Sequence, residues 1–211
     1  MRKLFEVGGI VAAVVLIVFG AVAVVMGVNG RSTVTTSLKQ EQITGSKDMT
    51  PALTAAAVKE AGLPATISLP TCSVANQPIT TGDSARCFAS YMRIHALEAS
   101  GGLTYSQLPR FATADGKGTS DPAAALKNTQ GGPVDNPVRS LWISETALST
   151  ALNTSYMASQ LALFGIVVGI ALLLSGFGFA ILAIGGALRT RETAVPVLRP
   201  AATIGTAVPA S

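Results

Sequence analysis

The chain has 211 residues, 49% of them hydrophobic and only 12% charged, with a mean hydropathy of +0.49. A soluble domain carries about 25% charged residues, so this composition argues against an ordinary water-soluble enzyme, and equally against a disordered chain, which needs low hydrophobicity and high charge. One His and two Cys exclude a His-rich or Cys-rich metal site, and the pI of 9.3 rests on a net charge of only +4.

Two apolar runs account for most of this. Val7 to Val28 holds 22 residues without a charge, and Leu161 to Leu188 holds 28. About 20 such residues, as a helix, cross the roughly 30 Å hydrocarbon core of a bilayer. Backbone polar groups in lipid must be satisfied internally, so both runs should be helices. The expected fold class is mainly α: two transmembrane helices flanking a small, mostly helical extracytoplasmic domain. The expected order is a cytoplasmic N-terminus (1–6), a first span (7–28), the domain with a stalk helix (29–160), a second span (161–188) and a disordered cytoplasmic tail (189–211).

The first run has a rival reading as a cleaved signal peptide. Arg2 and Lys3 would be its basic region, and Ala21-Val22-Ala23 fits a small-x-small cleavage pattern. That triplet lies inside the apolar run, which is longer than the 7–15 residues of a signal core, so a retained anchor is expected. Orientation follows the basic flanks. Arg2 and Lys3 precede the first span, and Arg189, Arg191 and Arg199 follow the second. The positive-inside rule places both ends in the cytoplasm at the cell membrane, against the weaker flank of Arg31 and Lys39. Segment 29–160 is then exported, where Cys72 and Cys87 meet an oxidising environment and pair, closing a 16-residue loop. Two free thiols in a reducing cytosol are the alternative. Two Cys and one distant His are too few for structural zinc, which takes four protein ligands.

Within the domain, Asn29 to Met49 reads either as a helical extension of the first span or as a linker. Thr50-Pro51 opens a helix over Ala52–Ala61, with Thr as N-cap, Pro in the first turn and Gly62 as the left-handed stop. Ala65 to Leu69 alternates polar and apolar between two prolines, the pattern of a short strand. Asp83 is the expected cap of a second helix, Ser84 to Ser100, stopped by Gly101-Gly102. Phe88, Met92, His95 and Ala99 would form its buried face. Leu103 to Asn136 is rich in Gly and Pro and reads as loop, with a short helix after Asp121-Pro122. Asn136-Pro137 repeats the cap signature. Nothing breaks helix from there into the second run, so one helix of about 75 Å is expected from Pro137 to Leu188. Leu141, Leu148, Leu152 and Tyr156 would lie along one stripe of it. Tyr156 and Phe164 would sit near the outer boundary of the bilayer, where aromatics favour the interface.

Chemical signals are few. His95 and Glu98 share a helical face, but helical metal sites need more carboxylates and a second His, so a half-buried, satisfied His is expected. A pH-sensing role stays open for it because His titrates near neutrality. Gly-x-Ser-x-Gly is absent, and Gly116-Lys117-Gly118-Thr119 lacks the upstream spacing of a phosphate-binding loop. No catalytic residue, metal or cofactor is assigned. The basic residues are too dispersed for a nucleic-acid partner. Gly165 and Gly169 make a small-xxx-small pattern that Gly176 extends, suited to close helix packing. It serves either this chain's own two spans, with Gly9, Ala13 and Gly20 opposite, or an oligomer. Neither span holds an ionisable residue, which argues against an ion pathway. Asn153-Thr154-Ser155 matches a glycosylation sequon but reads as helix surface.

Several stretches resemble a family of two-span membrane proteins from actinobacteria. They are Met1-Arg-Lys-Leu-Phe-Glu-Val-Gly-Gly9, Met26-Gly-Val-Asn-Gly-Arg31, Ser37-Leu-Lys-Gln-Glu41 and Tyr91-Met-Arg-Ile-His95. Pro109-Arg-Phe-Ala112, the segment from Glu145 to Met157, and Phe164-Gly-Ile-Val-Val-Gly169 add to them. The resemblance spans residues 1 to about 188. It implies the two-span architecture and no assigned function; members often carry the automatic label of aromatic ring-opening dioxygenase. Extradiol ring opening uses iron held by two His and one carboxylate, and this chain has one His.

Three functions are therefore carried forward. The first is a non-enzymatic membrane protein presenting its disulfide-pinned domain for partner binding or envelope assembly. The second is an oligomeric accessory subunit acting through its membrane helices. The third is an enzyme of the ring-opening kind. The expected partners are the lipid bilayer and another protein or a second copy.

Overall fold

The computed structural model describes residues 2–185, with side chains from residue 5 onward. The tail expected to be disordered, and the last residues of the second apolar run, lie outside the described residues. The described residues form four helices: α1 (Arg2–Gln40), α2 (Pro51–Glu60), α3 (Gly82–Ala99) and α4 (Pro137–Ile184). Among the described residues there is no strand, only isolated bridges such as Thr44 with Pro78 and Lys127 with Pro133.

Two of these helices are long and apolar enough to cross a membrane. Only 17% of the most apolar window of each is buried within the chain. A soluble core helix would hide most of that surface. Here Phe19, Leu161, Phe164 and Leu174 are all more than 60% exposed, pointing away from the partner helix. Both helices continue well past their apolar runs. The polar stretch after Val28 is therefore a helical extension of the first run as far as Gln40, rather than a linker.

α1 and α4 pack antiparallel along their length. Small residues set the spacing. A Cβ on Gly20 would lie 2.8 Å from the carbonyl oxygen of Gly169, and one on Gly176 would lie 2.7 Å from Ile17. Gly27 approaches Ala162 and Ile166 in the same way.

Beyond the apolar runs, α3 packs on α4 and α2 on α3. Two clusters fill the space. The one beside the spans gathers Leu38, Ile79, Phe88, Tyr91 and Leu152. The one farther away gathers Val58, Ile94, Leu97, Leu108 and Trp142. Fully burying an apolar side chain of this size contributes about 1.5–3 kcal/mol, so these residues, more than helix propensity, hold the short α2 in place.

Local capping sets the helix boundaries. Thr50 Oγ1 accepts from the amide of Leu53 ahead of Pro51, and Gly62 leaves α2 with φ +64°. α3 departs from expectation. Its cap is Thr81, whose hydroxyl accepts from the Ser84 amide while the Ser84 hydroxyl accepts from the Thr81 amide. Asp83 lies inside the first turn, where its charge suits the positive helix end. Asn136 caps α4 by accepting from the Val138 amide, and its Nδ2 donates to the Pro109 carbonyl.

Other expectations change. Residues 65–69 form turns rather than a strand, because no neighbouring segment pairs with them. Asp121-Pro122 opens a turn rather than a helix, and the surrounding segment is tied down by its own backbone. Phe111 and Thr119 exchange two hydrogen bonds, and Val134 donates to Leu126. On α3, Ala99 is exposed, and the buried face centres on Tyr91 and Ile94. On α4, Leu141 is exposed; Trp142 and Glu145 lead the buried stripe into Leu152.

Candidate functional site

Cys72 and Cys87 are bonded, with Cα atoms 6.1 Å apart. Cys87 sits in the first turns of α3, so the bridge holds the 72–80 segment against the start of that helix. Tyr91, one turn on, is completely buried, and its hydroxyl donates to the carbonyl of Cys72. Burial pushes the Tyr91 phenol above its ordinary value. The segment is clasped from its other side by the 43–49 stretch. The Ile79 amide donates to the Ile43 carbonyl, and the Val74 amide to that of Met49.

His95 occupies a position that spacing along α3 only half reveals. Its Nδ1 lies 3.1 Å from Glu98 Oε2 on the same helix, and its Nε2 lies 3.3 Å from Asp48 Oδ2 on the 41–50 segment. A neutral imidazole has one N–H, so it satisfies one of these oxygens; the imidazolium form satisfies both. Asp48 is held below the usual carboxylate range by a hydrogen bond from the Ser46 side chain, by a backbone amide, and by the charges of His95 and Lys47, with burial opposing. The other Glu98 oxygen is buried and has no hydrogen-bond partner among the described residues. The two carboxylates take different ring nitrogens instead of converging on a point. Among the described residues no three His, Cys, Asp or Glu side chains are arranged to hold a metal ion.

The opposite face of α3 carries a different set. Arg86 lies over the Tyr156 ring at 4.6 Å, and Arg93 over the Trp142 ring at 5.6 Å. At the start of α4, Arg139 lies over Tyr105 at 4.1 Å. Trp142 is buried, and its indole N–H donates to the Leu103 carbonyl. Glu145 is 5% exposed, and its carboxylate accepts from the hydroxyls of Ser149 and Thr146. Sequence reasoning singled out neither Glu145 nor these arginines. The seven-residue spacing of Arg86 and Arg93, which puts both on one helical face, was the available signal.

The three glycines read from the sequence lie where α4 meets α1. Gly165 faces Ala23, Gly169 faces Gly20 and Val24, and Gly176 faces Ala13 and Ile17. Asn153 of the sequon lies on the exposed surface of α4 and donates to the Ser149 carbonyl.

Comparison with protein-family models, with curated proteins and with solved structures finds no match to this chain.

Proposed function

We propose that the chain is an integral membrane protein whose 29–160 domain, outside the cytoplasm, binds a protein partner of the cell envelope without itself being an enzyme. One observation carries the reading. Each long helix divides into an apolar half whose side chains face outward and a half built into a disulfide-closed domain. Anchors at both ends of a domain whose surface is held by a covalent bridge and backbone clasps suit a fixed recognition surface.

The reading as an oligomeric subunit working through the spans draws less support, because Gly165, Gly169 and Gly176 are occupied by α1. The ring-opening reading lacks the second histidine of the iron-binding set.

The test is chemical crosslinking in intact membranes with identification of crosslinked proteins by mass spectrometry. The proposal expects a reproducible partner joined through residues 29–160; crosslinks confined to copies of this chain through the spans would favour the subunit reading. Topology is tested separately. After mild reduction, a membrane-impermeant maleimide should label Cys72 and Cys87 in intact cells, and labelling only after lysis would reverse the orientation.

A further inference from the structure

We infer that the groove along α4, walled by α3 at one end and by Tyr105, Arg110 and Phe111 at the other, is the docking site for an acidic, amphipathic helix of a partner protein. This deepens the reading above and rests on it for the partner's identity as a protein.

The groove is continuous. A cavity of about 350 Å³ beside Tyr105, Arg110 and Arg139 shares Tyr105 and Ile143 with a second of about 500 Å³ over Trp142 and Ala147. The second shares Thr146 and Thr150 with a third of about 520 Å³ between Arg86, Arg93 and Asn153. From Arg139 to Asn153 the floor follows α4 for about 21 Å at 1.5 Å per residue, the length of a four-turn helix.

Its four arginines outnumber its two carboxylates. Segment 29–160 holds ten basic and nine acidic residues, and of the acidic ones Asp135 and Glu145 line the groove. Asp48 and Glu98 meet His95 on the other side of α3, and Asp83 pairs with Gln160. In the groove, Glu145 is buried under its own hydroxyl bonds, and Asp135 at the upper end is the other carboxylate. Among the described residues no ion pair or hydrogen bond engages the guanidinium of Arg86, Arg93, Arg110 or Arg139. Three of these four are instead positioned by an aromatic face. A guanidinium held over a ring makes no hydrogen bond there, and its N–H groups can still bind a carboxylate.

The shape selects a helix over other anions. The groove runs along the α4 axis, so its arginines are spread over the length of a helix and not gathered round one headgroup. Ile143, 58% exposed, and Ala147 form an apolar stretch in the middle. That stretch rewards Leu or Ile side chains and offers nothing to a phosphate chain. Apolar anchors at helical spacing flanked by Glu match both features.

The experiment uses the full chain in nanodiscs of zwitterionic lipid. The probe is a fluorescent synthetic helix with Leu at i, i+3, i+4 and i+7 and Glu at the flanking positions, followed by anisotropy. We expect saturable binding, weakened at least about tenfold by Arg93→Gln with Arg139→Gln, and unchanged by Lys59→Gln on α2. Circular dichroism and thermal melting check that each variant is folded. Equal binding of a Lys-for-Glu version of the probe would overturn the inference, as would indifference to the arginine substitutions or no binding at all. Displacement of the probe by phosphatidylglycerol vesicles would assign the groove to lipid, and Ile143→Cys crosslinking to a second copy would assign it to self-association; either overturns the inference. If the maleimide test places the domain in the cytoplasm while the probe still binds, the groove stands and the envelope reading falls. If labelling and envelope crosslinks succeed but the probe fails, the reverse holds.

Discussion

Gly20 and Gly169 meet backbone to backbone: a Cβ on either would lie within 2.8 Å of the other's carbonyl oxygen. Leu173 and Val24 side chains crowd the two positions as well, but the backbone atoms there cannot yield. Gly178, nine residues further along α4, has nothing within 4 Å of its Cβ position.

Gly169→Val should therefore force the two long helices apart, at about 1–3 kcal/mol as for other overpacked sites, while Gly178→Ala should be neutral or slightly stabilising. Thermal unfolding in detergent micelles reads the difference. Equal melting of both variants would mean that the helices do not touch there.

Cys72→Ser with Cys87→Ser should lower stability by about 3 kcal/mol on the chain-entropy account for a separation of 15 residues. The loss should localise to the 72–80 segment and the first turns of α3. Hydrogen exchange with and without reductant checks this, and protection of the Ile79 amide is the signal to follow, since its bond to Ile43 depends on the clasp.

Asp48 gives a pH dependence with a defined sign. Its carboxyl is held below its ordinary value, first by the Ser46 hydrogen bond. Its contribution is thus complete above the unfolded value near about 4 and is lost as pH falls through the lower folded value. Melting curves of the wild type and Asp48→Asn should differ at pH 7 and converge in stronger acid. A gap that widens in acid would contradict the assignment.

Trp142 is the chain's one tryptophan, so its fluorescence reports the upper cluster alone. Its burial should give blue-shifted emission in the native state. Trp142→Phe keeps the ring contact with the upper cluster but removes the N–H bond to Leu103, at a cost of about 1 kcal/mol. Red-shifted native emission would show that the ring is solvated.

Thr81→Ala should cost about 1 kcal/mol by removing the α3 cap, whereas Asp83→Ala should cost less. The order of the two variants in chemical denaturation decides which residue starts the helix.

These sites differ in how visible they were in the sequence. Thr50-Pro51 and Asn136-Pro137 are legible because a cap is a matter of neighbouring residues. Thr81 escaped because its capping box uses Ser84 where Glu or Gln is the usual signal. Residues 65–69 alternate as a strand does, but pairing needs a second strand, and none lies alongside. On α4, a phase shift of one residue separates the expected Leu141 from the buried Trp142, and the expected stripe could not anticipate a buried Glu145 satisfied by Ser149. His95 with Glu98 is a local pair, but Asp48 reaches it across a fold, and the rings beneath Arg86 and Arg93 belong to another helix. The near-neutral charge of segment 29–160 likewise concealed Arg86 and Arg93 on one face of α3 and Glu98, with Asp48, at the other.

α4 carries neither Pro nor Gly between Val138 and Phe164. The cap at Asn136 and the apolar end are thus two ends of a single rod, about 72 Å long for its 48 residues. Its glycines are confined to the apolar half, so the stretch from Val138 to Phe164 has no Pro or Gly hinge of its own. The groove on its side is held at a fixed height and bearing relative to the apolar half. A ligand that tilts the domain therefore tilts this stretch of α4 with it.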